Sequence, residues 1–346
     1  MVSDAAQAHD RDLPLACKVA FLSRRDAYPD RPAGVEAIET HMSWVFLTDR
    51  HAYKLKKPVR RPFLDFSTIE ARRRHCADEV RLNRRLAPAV YLGAVPLVST
   101  AAGLRLGGPG EVVDWLVKMV RLPSERVLDR GIANGTVERR DAVAIGRVLA
   151  GFYRSLPPVR VDPAEYRRRF AADAEASLEA VTAAGGPARI ARAGRIAAAQ
   201  AAMLSRRAAE FDRRVRDGRI VEGHGDLRPE HVYLDGTPSI IDCLEFDYDL
   251  RTLDPADELG FLALECERLG AAWIGMEIFA TYTTVTQDDP PRPLVDFYQS
   301  FRALQRARLA IWHVAEPGRH PPQEWLRRAD LYLELGESYA ARLAAA

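Results

Sequence analysis

Glu222-Gly223-His224-Gly225-Asp226-Leu227-Arg228-Pro229-Glu230-His231-Val232-Tyr233-Leu234-Asp235-Gly236-Thr237-Pro238-Ser239-Ile240-Ile241-Asp242 is the stretch from which the rest of the chain can be read. Asp235-Gly236-Thr237-Pro238 has the chemistry of a turn, and it separates two short apolar runs, so a hairpin is expected. Its centre falls between Gly236 and Thr237. His231 and Asp242 lie equally far from that centre, which predicts that they emerge side by side at the open end. Asp226 sits in the loop leading in, directly after Gly225. A carboxylate, an imidazole and a second carboxylate then converge, a set that suits a hard divalent cation and a general base. The plainer alternative has Asp226 capping a turn and His231 satisfied in a core. The symmetric placement and the preceding glycine weigh against it.

Outward from this stretch the chain changes character. On the N-terminal side, residues 13–24 read as a short helix, 43–48 and 52–56 as strands joined through Asp49-Arg50-His51, and 95–98, 104–106 and 112–119 as further strands. Ser67 with Glu70 reads as a capping box opening a helix that runs to about Leu86 and stops at Pro88. From about Arg121 onward, 138–155, 163–183, 187–216, 255–269, 271–285, 292–315 and 322–343 carry helical periodicity. They are interrupted by short β segments at 219–222, 232–234 and 239–241. A strand-rich third followed by a helical part is an α+β layout with two lobes: residues 1–119 as the smaller lobe, its first twelve a flexible tail, and 120–346 as the larger.

Composition narrows the function classes. The 346 residues carry a net charge of +2, so no strong field points to nucleic acid or an anionic membrane. No apolar run approaches the roughly 20 residues that span a bilayer. The polar start, Met1 to Asp12, is not a secretory signal. The four cysteines lack the spacing of a zinc ribbon or disulfide framework, which fits reduced thiols in a cytoplasm. Of 50 basic residues only five are lysine, and three of these stand together at Lys54, Lys56 and Lys57. Where arginine is used almost everywhere, lysines retained together read either as a place that needs a compact point charge or as chance on a solvated basic face. Asparagine is scarcer still, with Asn83 and Asn134 alone.

His224-Gly225-Asp226-Leu227, followed by a hairpin and Ile241-Asp242, resembles the catalytic segment of aminoglycoside phosphotransferases and their protein-kinase-like relatives. Glu39-Thr40-His41-Met42-Ser43-Trp44-Val45-Phe46, Tyr53-Lys54-Leu55-Lys56-Lys57-Pro58 and Arg81-Leu82-Asn83-Arg84-Arg85-Leu86-Ala87-Pro88 resemble one bacterial subgroup, often fused to a C-terminal P-loop ATPase-like domain. The resemblance runs from about Ala27 to about Ala310. No G-x-x-x-x-G-K-[ST] occurs, so that second domain is not expected within these residues. The resemblance implies a bilobal protein-kinase-like fold, with a small β-rich N-lobe and a larger helical C-lobe. It implies ATP or another nucleoside triphosphate as donor, Mg²⁺ or Mn²⁺ as cofactor, and a small-molecule hydroxyl as acceptor: a sugar, amino sugar or aminoglycoside-like compound.

Residue roles follow by resemblance. Asp226 matches the aspartate that orients the acceptor hydroxyl and takes its proton, with Arg228 placed to neutralise the moving phosphoryl group. His231 stands where the family has a metal-binding asparagine, and Asp242 matches the second metal ligand. Lys54 matches the lysine that grips the nucleotide phosphates, Lys56 being the fallback on the same strand face. Glu79 matches its helical partner, with Glu70 as rival. Val117 to Arg121, including Lys118 and Met119, match the hinge whose backbone meets the adenine. No G-x-G-x-x-G precedes Trp44, so the phosphate lid is expected to be a plain β-turn.

Two other readings share these residues: a catalytically weak nucleotide-binding pseudokinase, and a metal-dependent phosphoesterase using His224, Asp226, His231 and Asp242, which leaves Lys54 and Glu79 without a role. The acidic run Glu245, Asp247, Asp249 reads either as an attractor for a cationic acceptor or as a solvated loop pairing with Arg251. Asp254-Pro255-Ala256-Asp257 reads as a helix start, with Asp254 as N-cap and Asp257 complementing the dipole. Phe297, Tyr298, Phe301 and Trp312 read as core. Arg72-Arg73-Arg74 and Arg167-Arg168-Arg169 read as exposed helix faces.

Overall fold

The computed structural model describes residues 13–61, 64–314 and 321–345; the N-terminal twelve residues, expected to form a flexible tail, lie outside this range. The chain folds as two compact units. One comprises Met1–Pro123 with Ile240–Asp247, the other Ser124–Ser239 with Tyr248–Ala346.

The first unit begins with α1 (Leu15–Leu22) and continues through β1 (Glu36–Glu39), β2 (Ser43–Leu47), β3 (His51–Lys56), the short β4 (Arg60–Arg61) and β5 (Leu64–Asp65), α2 (Ile69–Asn83), β6 (Tyr91–Thr100), β7 (Gly103–Leu106) and β8 (Glu111–Val120). Six strands form one antiparallel sheet in the order β1-β2-β3-β8-β6-β7. Alternation along β3 divides its side chains between the faces. Tyr53 and Leu55 join Phe46 and Leu116 in one core cluster, while Ala52 joins Val117, Met119 and the α2 residues Cys76 and Val80 in another. Lys54 and Lys56 share parity with Ala52, so they stand on the α2 face.

Ile240–Asp247 returns to this unit from far along the sequence, a departure from the single boundary expected near residue 119. Packing explains it: Ile241 lies against the α2-side cluster, and the Cys243 N–H donates to Asn83 Oδ1 at 2.8 Å.

Two expectations about α2 are corrected. Its N-cap is Thr68, whose hydroxyl accepts the Ala71 N–H at 3.1 Å. Ser67 instead turns its N–H and hydroxyl to Asp65, and Glu70 pairs with Arg73 at 2.7 Å, so neither forms the expected capping box. Arg72 is fully buried, its Nε 2.7 Å from Asp114, whose other oxygen takes Lys18 at 2.8 Å. Three consecutive helical residues span about 200° of the surface, so a run of arginines cannot all face water.

The second unit contains α3 (Leu128–Ala133), α4 (Arg139–Ser155), α5 (Pro163–Ala184), α6 (Pro187–Arg206), α7 (Ala208–Arg216), β9 (Val221–Glu222), a 3₁₀ turn at Pro229–His231, β10 (Val232–Tyr233), β11 (Ser239–Ile240, its last residue in the first unit), α8 (Tyr248–Arg251), β12 (Thr252–Leu253), α9 (Pro255–Arg268), α10 (Ala272–Thr286), α11 (Arg292–Val314) and α12 (Pro322–Ala345). The helix expected over 187–216 breaks at Arg207, whose backbone leaves helical geometry at φ −117° and ψ 29°. Asp254 caps α9 by accepting the Ala256 N–H at 2.9 Å. Asp257 lies in its first turn but is held by Arg302 through two contacts of 2.7 Å.

Phe297, Tyr298 and Phe301 belong to the aromatic core with Tyr166, Phe170 and Phe211. Trp312 does not; it is 49% exposed, beneath the Arg308 guanidinium. Arg169 is likewise no free surface residue, since it lies over the rings of Tyr166 and Phe170. No described helix is long and apolar enough to cross a membrane.

Candidate functional site

In the first unit the two β3 lysines meet the α2 glutamate. Lys54 Nζ lies 3.0 Å from Glu79 Oε1 and 2.7 Å from Asp242 Oδ1. Lys56 Nζ lies 2.5 Å from Glu79 Oε2 and also pairs with Glu245. Glu79 is fully buried and bridges both lysines, whereas the rival Glu70 is exposed on Arg73. Burial alone would pull the Lys54 ammonium down, but Asp242, Glu79 and Glu245 outweigh it and hold its pKa well above the ordinary value. Burial pushes the Glu79 carboxyl up, and the two ammonium groups overcome that and keep it low. Burial also raises Glu245, and Lys56 offsets this only in part because Glu79 adds to it. Fully ionised, two ammonium groups face three carboxylates, and this excess of negative charge adds to burial in pushing Glu245 up.

Asp242 adopts φ 61°, one of three non-glycine residues with positive φ among the described residues. Aspartate tolerates that region better than most side chains. The conformation is held by a hydrogen bond from its N–H to the Tyr91 hydroxyl at 3.1 Å and by the Asn83 contact to the next residue. Its carboxylate keeps 45% of the side-chain exposure. Backbone strain persists where surroundings over-determine it, and such places are enriched at functional sites.

In the second unit, loop 223–231 is built around Glu258 at the start of α9. The Glu258 carboxylate accepts the N–H groups of His224 at 3.0 Å and Gly225 at 2.5 Å, and the Tyr153 hydroxyl at 2.7 Å. A side chain at Gly223 would place a Cβ 2.7 Å from Glu258 Oε2, and Gly225 takes φ 88°, so both glycines are demanded by the turn. The fully buried His224 accepts the Asp226 N–H through Nδ1 at 3.3 Å. The Asp226 carboxylate lies 3.0 Å from Arg228. Burial would raise its pKa, but Arg228, His231, Arg306 and His224 outweigh that and hold it below the usual carboxylate value.

His231 is engaged through both ring nitrogens. Its Nδ1 donates to the Asp226 carbonyl at 2.8 Å, and its Nε2 receives the Arg228 guanidinium at 3.1 Å. A carbonyl can only accept, so the network assigns the proton to Nδ1 and spends the Nε2 lone pair on Arg228. In this arrangement the ring braces the loop. Among the described residues no group of three or more His, Cys, Asp and Glu is placed to hold a metal.

The residues matched to the hinge are tied into the sheet. The N–H groups of Val120 and Arg121 already donate to Val90 and Arg50, each at 2.8 Å, because β8 continues to Val120. Met119 is buried against α2, Lys118 lies over the Tyr53 ring, and the Arg121 side chain donates to the Thr48 carbonyl. These groups serve the sheet. Of the acidic run, Glu245 is engaged by buried Lys56, while Arg251 pairs with Glu222 and stacks on Tyr248. Asp249 is exposed and Asp247 half-buried.

Tyr91, Asn83, Glu258 and Arg306 went unremarked as site residues in the sequence. Only Asn83 carried a signal: its rarity is of the same kind as that of Lys54 and Lys56.

Comparison with known proteins bears on the family and the fold. The profile described as phosphotransferase enzyme family matches residues 48–295. Uncharacterized protein Rv2004c of Mycobacterium tuberculosis and uncharacterized protein Mb2027c of Mycobacterium bovis are each 36% identical over 293 residues, covering 82% of this chain and 56% of theirs. The chain thus spans about half the length of these relatives. Among solved structures, a choline kinase from Cryptosporidium parvum is similar at TM-score 0.55 and 10% identity, covering 95% of this chain and 96% of that one. A thermostable mutant of aminoglycoside phosphotransferase APH(4)-Ia is similar at TM-score 0.53 and 11% identity, over 91% and 96%. These likenesses show a kinase-like fold, and with the family profile covering most of the chain, the protein belongs to the phosphotransferase enzyme family.

Proposed function

We propose that the protein is an ATP-dependent phosphotransferase that moves the γ-phosphoryl group onto a hydroxyl of a small molecule. The observation that carries this reading is Lys54, a half-buried ammonium held between Glu79 and the strained, half-exposed Asp242. A lysine fixed at this depth is a point charge preset for phosphate oxygens. The two-metal phosphoesterase reading is not favoured, since it gives Lys54 no task and the family profile that matches is that of phosphotransferases.

In the proposed reaction, Lys54 binds phosphate oxygens and Glu79 fixes its position. Asp242, an oxygen donor, suits Mg²⁺ held jointly with phosphate oxygens, and the cation would supply charge neutralisation at the transferring group. Asp226, kept ionised by Arg228 and its neighbours, accepts a hydrogen bond from the acceptor hydroxyl. As the acceptor oxygen bonds to the γ-phosphorus and the bond to the β-phosphate oxygen breaks, Asp226 takes the hydroxyl proton. His231 and Glu258 hold the loop that positions it.

The test is release of nucleoside diphosphate in the presence of a panel of hydroxyl compounds: sugars, amino sugars, aminoglycosides, choline and ethanolamine. Acceptor-dependent release with a phosphorylated product is the expected result. Nucleotide binding without transfer to any acceptor would favour the pseudokinase reading, and nucleotide-independent phosphoester hydrolysis would favour the phosphoesterase.

A further inference from the structure

A cleft lies within the helical unit, with a volume of about 840 Å³, bounded by α9, α10, the start of α11 and the end of α12. Small-molecule sites commonly have about 300–1,000 Å³. On α9 it is bordered by Ala263 and Glu267. Glu265, two residues away and about 200° round the helix, faces Arg306 and Arg268 instead. The cleft is therefore on the far side of α9 from the group around Asp226.

Its chemistry is specific. Met276, 64% exposed, Phe279 and Val295 supply an apolar wall. Gln299, only 5% exposed, lines the cleft, and its Oε1 has no hydrogen-bond partner among the described residues. The Tyr339 hydroxyl donates to Glu267 and so can only accept from Gln299 Nε2, at 3.5 Å. That fixes the amide orientation and leaves Oε1 as the orphan. A buried acceptor without a donor carries a desolvation cost that a ligand N–H or O–H would remove. The charges favour a cation: Arg292 and Arg342 both pair with Asp296, at 2.8 and 2.9 Å, while Glu267 and Asp289 add negative charge at the rim.

We infer that this cleft is a binding site, separate from the phosphoryl-transfer residues, for a small amine or alcohol with an aromatic or branched apolar body, the amine preferred.

The chain has five methionines, so methyl-labelled methionine NMR gives a local reporter in Met276. Three probes share one phenyl body: 2-phenylethylamine, 2-phenylethanol and phenylacetate. The amine should shift the Met276 methyl saturably, the alcohol should bind more weakly, and phenylacetate at least about tenfold more weakly than the amine, the loss of a charged hydrogen bond being of that order. Gln299→Leu should weaken the amine about tenfold. Ala280→Trp, at an exposed lining position, should abolish the shift with thermal unfolding unchanged. The inference is overturned if the Met276 methyl stays still, if phenylacetate binds as well as the amine, if the response survives Ala280→Trp, or if only Met119 responds.

Discussion

Lys54 and Lys56 stand two residues apart on one strand face and share a single glutamate, so the sequence could rank them but not separate their tasks. Lys54 reaches Asp242, whereas Lys56 is 1% exposed and closed in by Glu79 and Glu245. Glu79→Gln should therefore raise the nucleotide Kd about tenfold or more by calorimetry, the scale of one charge-assisted hydrogen bond. Glu70→Ala, on an exposed i,i+3 pair, should leave it unchanged; equal effects would remove Glu79 from the phosphate site. Lys56→Met strands buried carboxylates and should cost about 3–5 kcal/mol in urea unfolding. Adding Glu245→Gln should recover part of that loss, because Glu245 is the acid whose ionisation the cluster opposes. The pH dependence has a definite sign. Asp226 is depressed in the folded protein, so its contribution is present above the ordinary carboxylate pKa of 3.8 and lost only as pH falls through the lower folded value. Turnover should show no acid limb from this group above about pH 4; a limb near pH 6 would contradict the assignment. His231 was the hardest residue to read. Its spacing from the turn suggests a ligand, and the partners of its two nitrogens, Arg228 and the Asp226 carbonyl, are set by a 3₁₀ turn that no spacing rule encodes.

At the scale of elements, periodicity located β2, β3, α4, α5 and α9 to α12 within a few residues, because each has one apolar face to bury. It missed β1 and α3. Strand β1, Glu-Ala-Ile-Glu, is a largely exposed edge strand without a clear apolar alternation, and the six-residue α3 is too short to show a period. The start of α2 was misread by one residue because Ser67 and Thr68 are both good caps, and Asp65 decides between them by taking the serine. Thermal or urea unfolding separates the two. Thr68→Ala should cost about 1 kcal/mol, the usual loss of an N-cap, and Ser67→Ala less than about 0.5 kcal/mol. The reverse order would restore the capping box.

For the whole molecule, the change from strands to helices after residue 120 was legible, while the return of Ile240–Asp247 to the strand-rich unit was not. That return depends on Ile241 finding an apolar seat and on Asn83 accepting the Cys243 N–H, contacts made across about 160 residues of sequence. It carries Asp242 to Lys54. The two units thus hold different parts of the proposed chemistry: Lys54, Glu79 and Asp242 in one, Asp226, Arg228 and His231 in the other. The division predicts separable losses, since phosphate contacts act in the ground state and the transition state alike, while a group facing the acceptor matters chiefly as its oxygen attacks. The decisive measurement is the pair of nucleotide Kd and phosphoryl-transfer rate for Asp226→Asn. The account predicts a Kd within about twofold of the parent and a turnover lowered by about 10²–10⁴-fold; turnover retained in Asp226→Asn, or a Kd that collapses with it, would contradict the placing of this carboxylate at the acceptor hydroxyl.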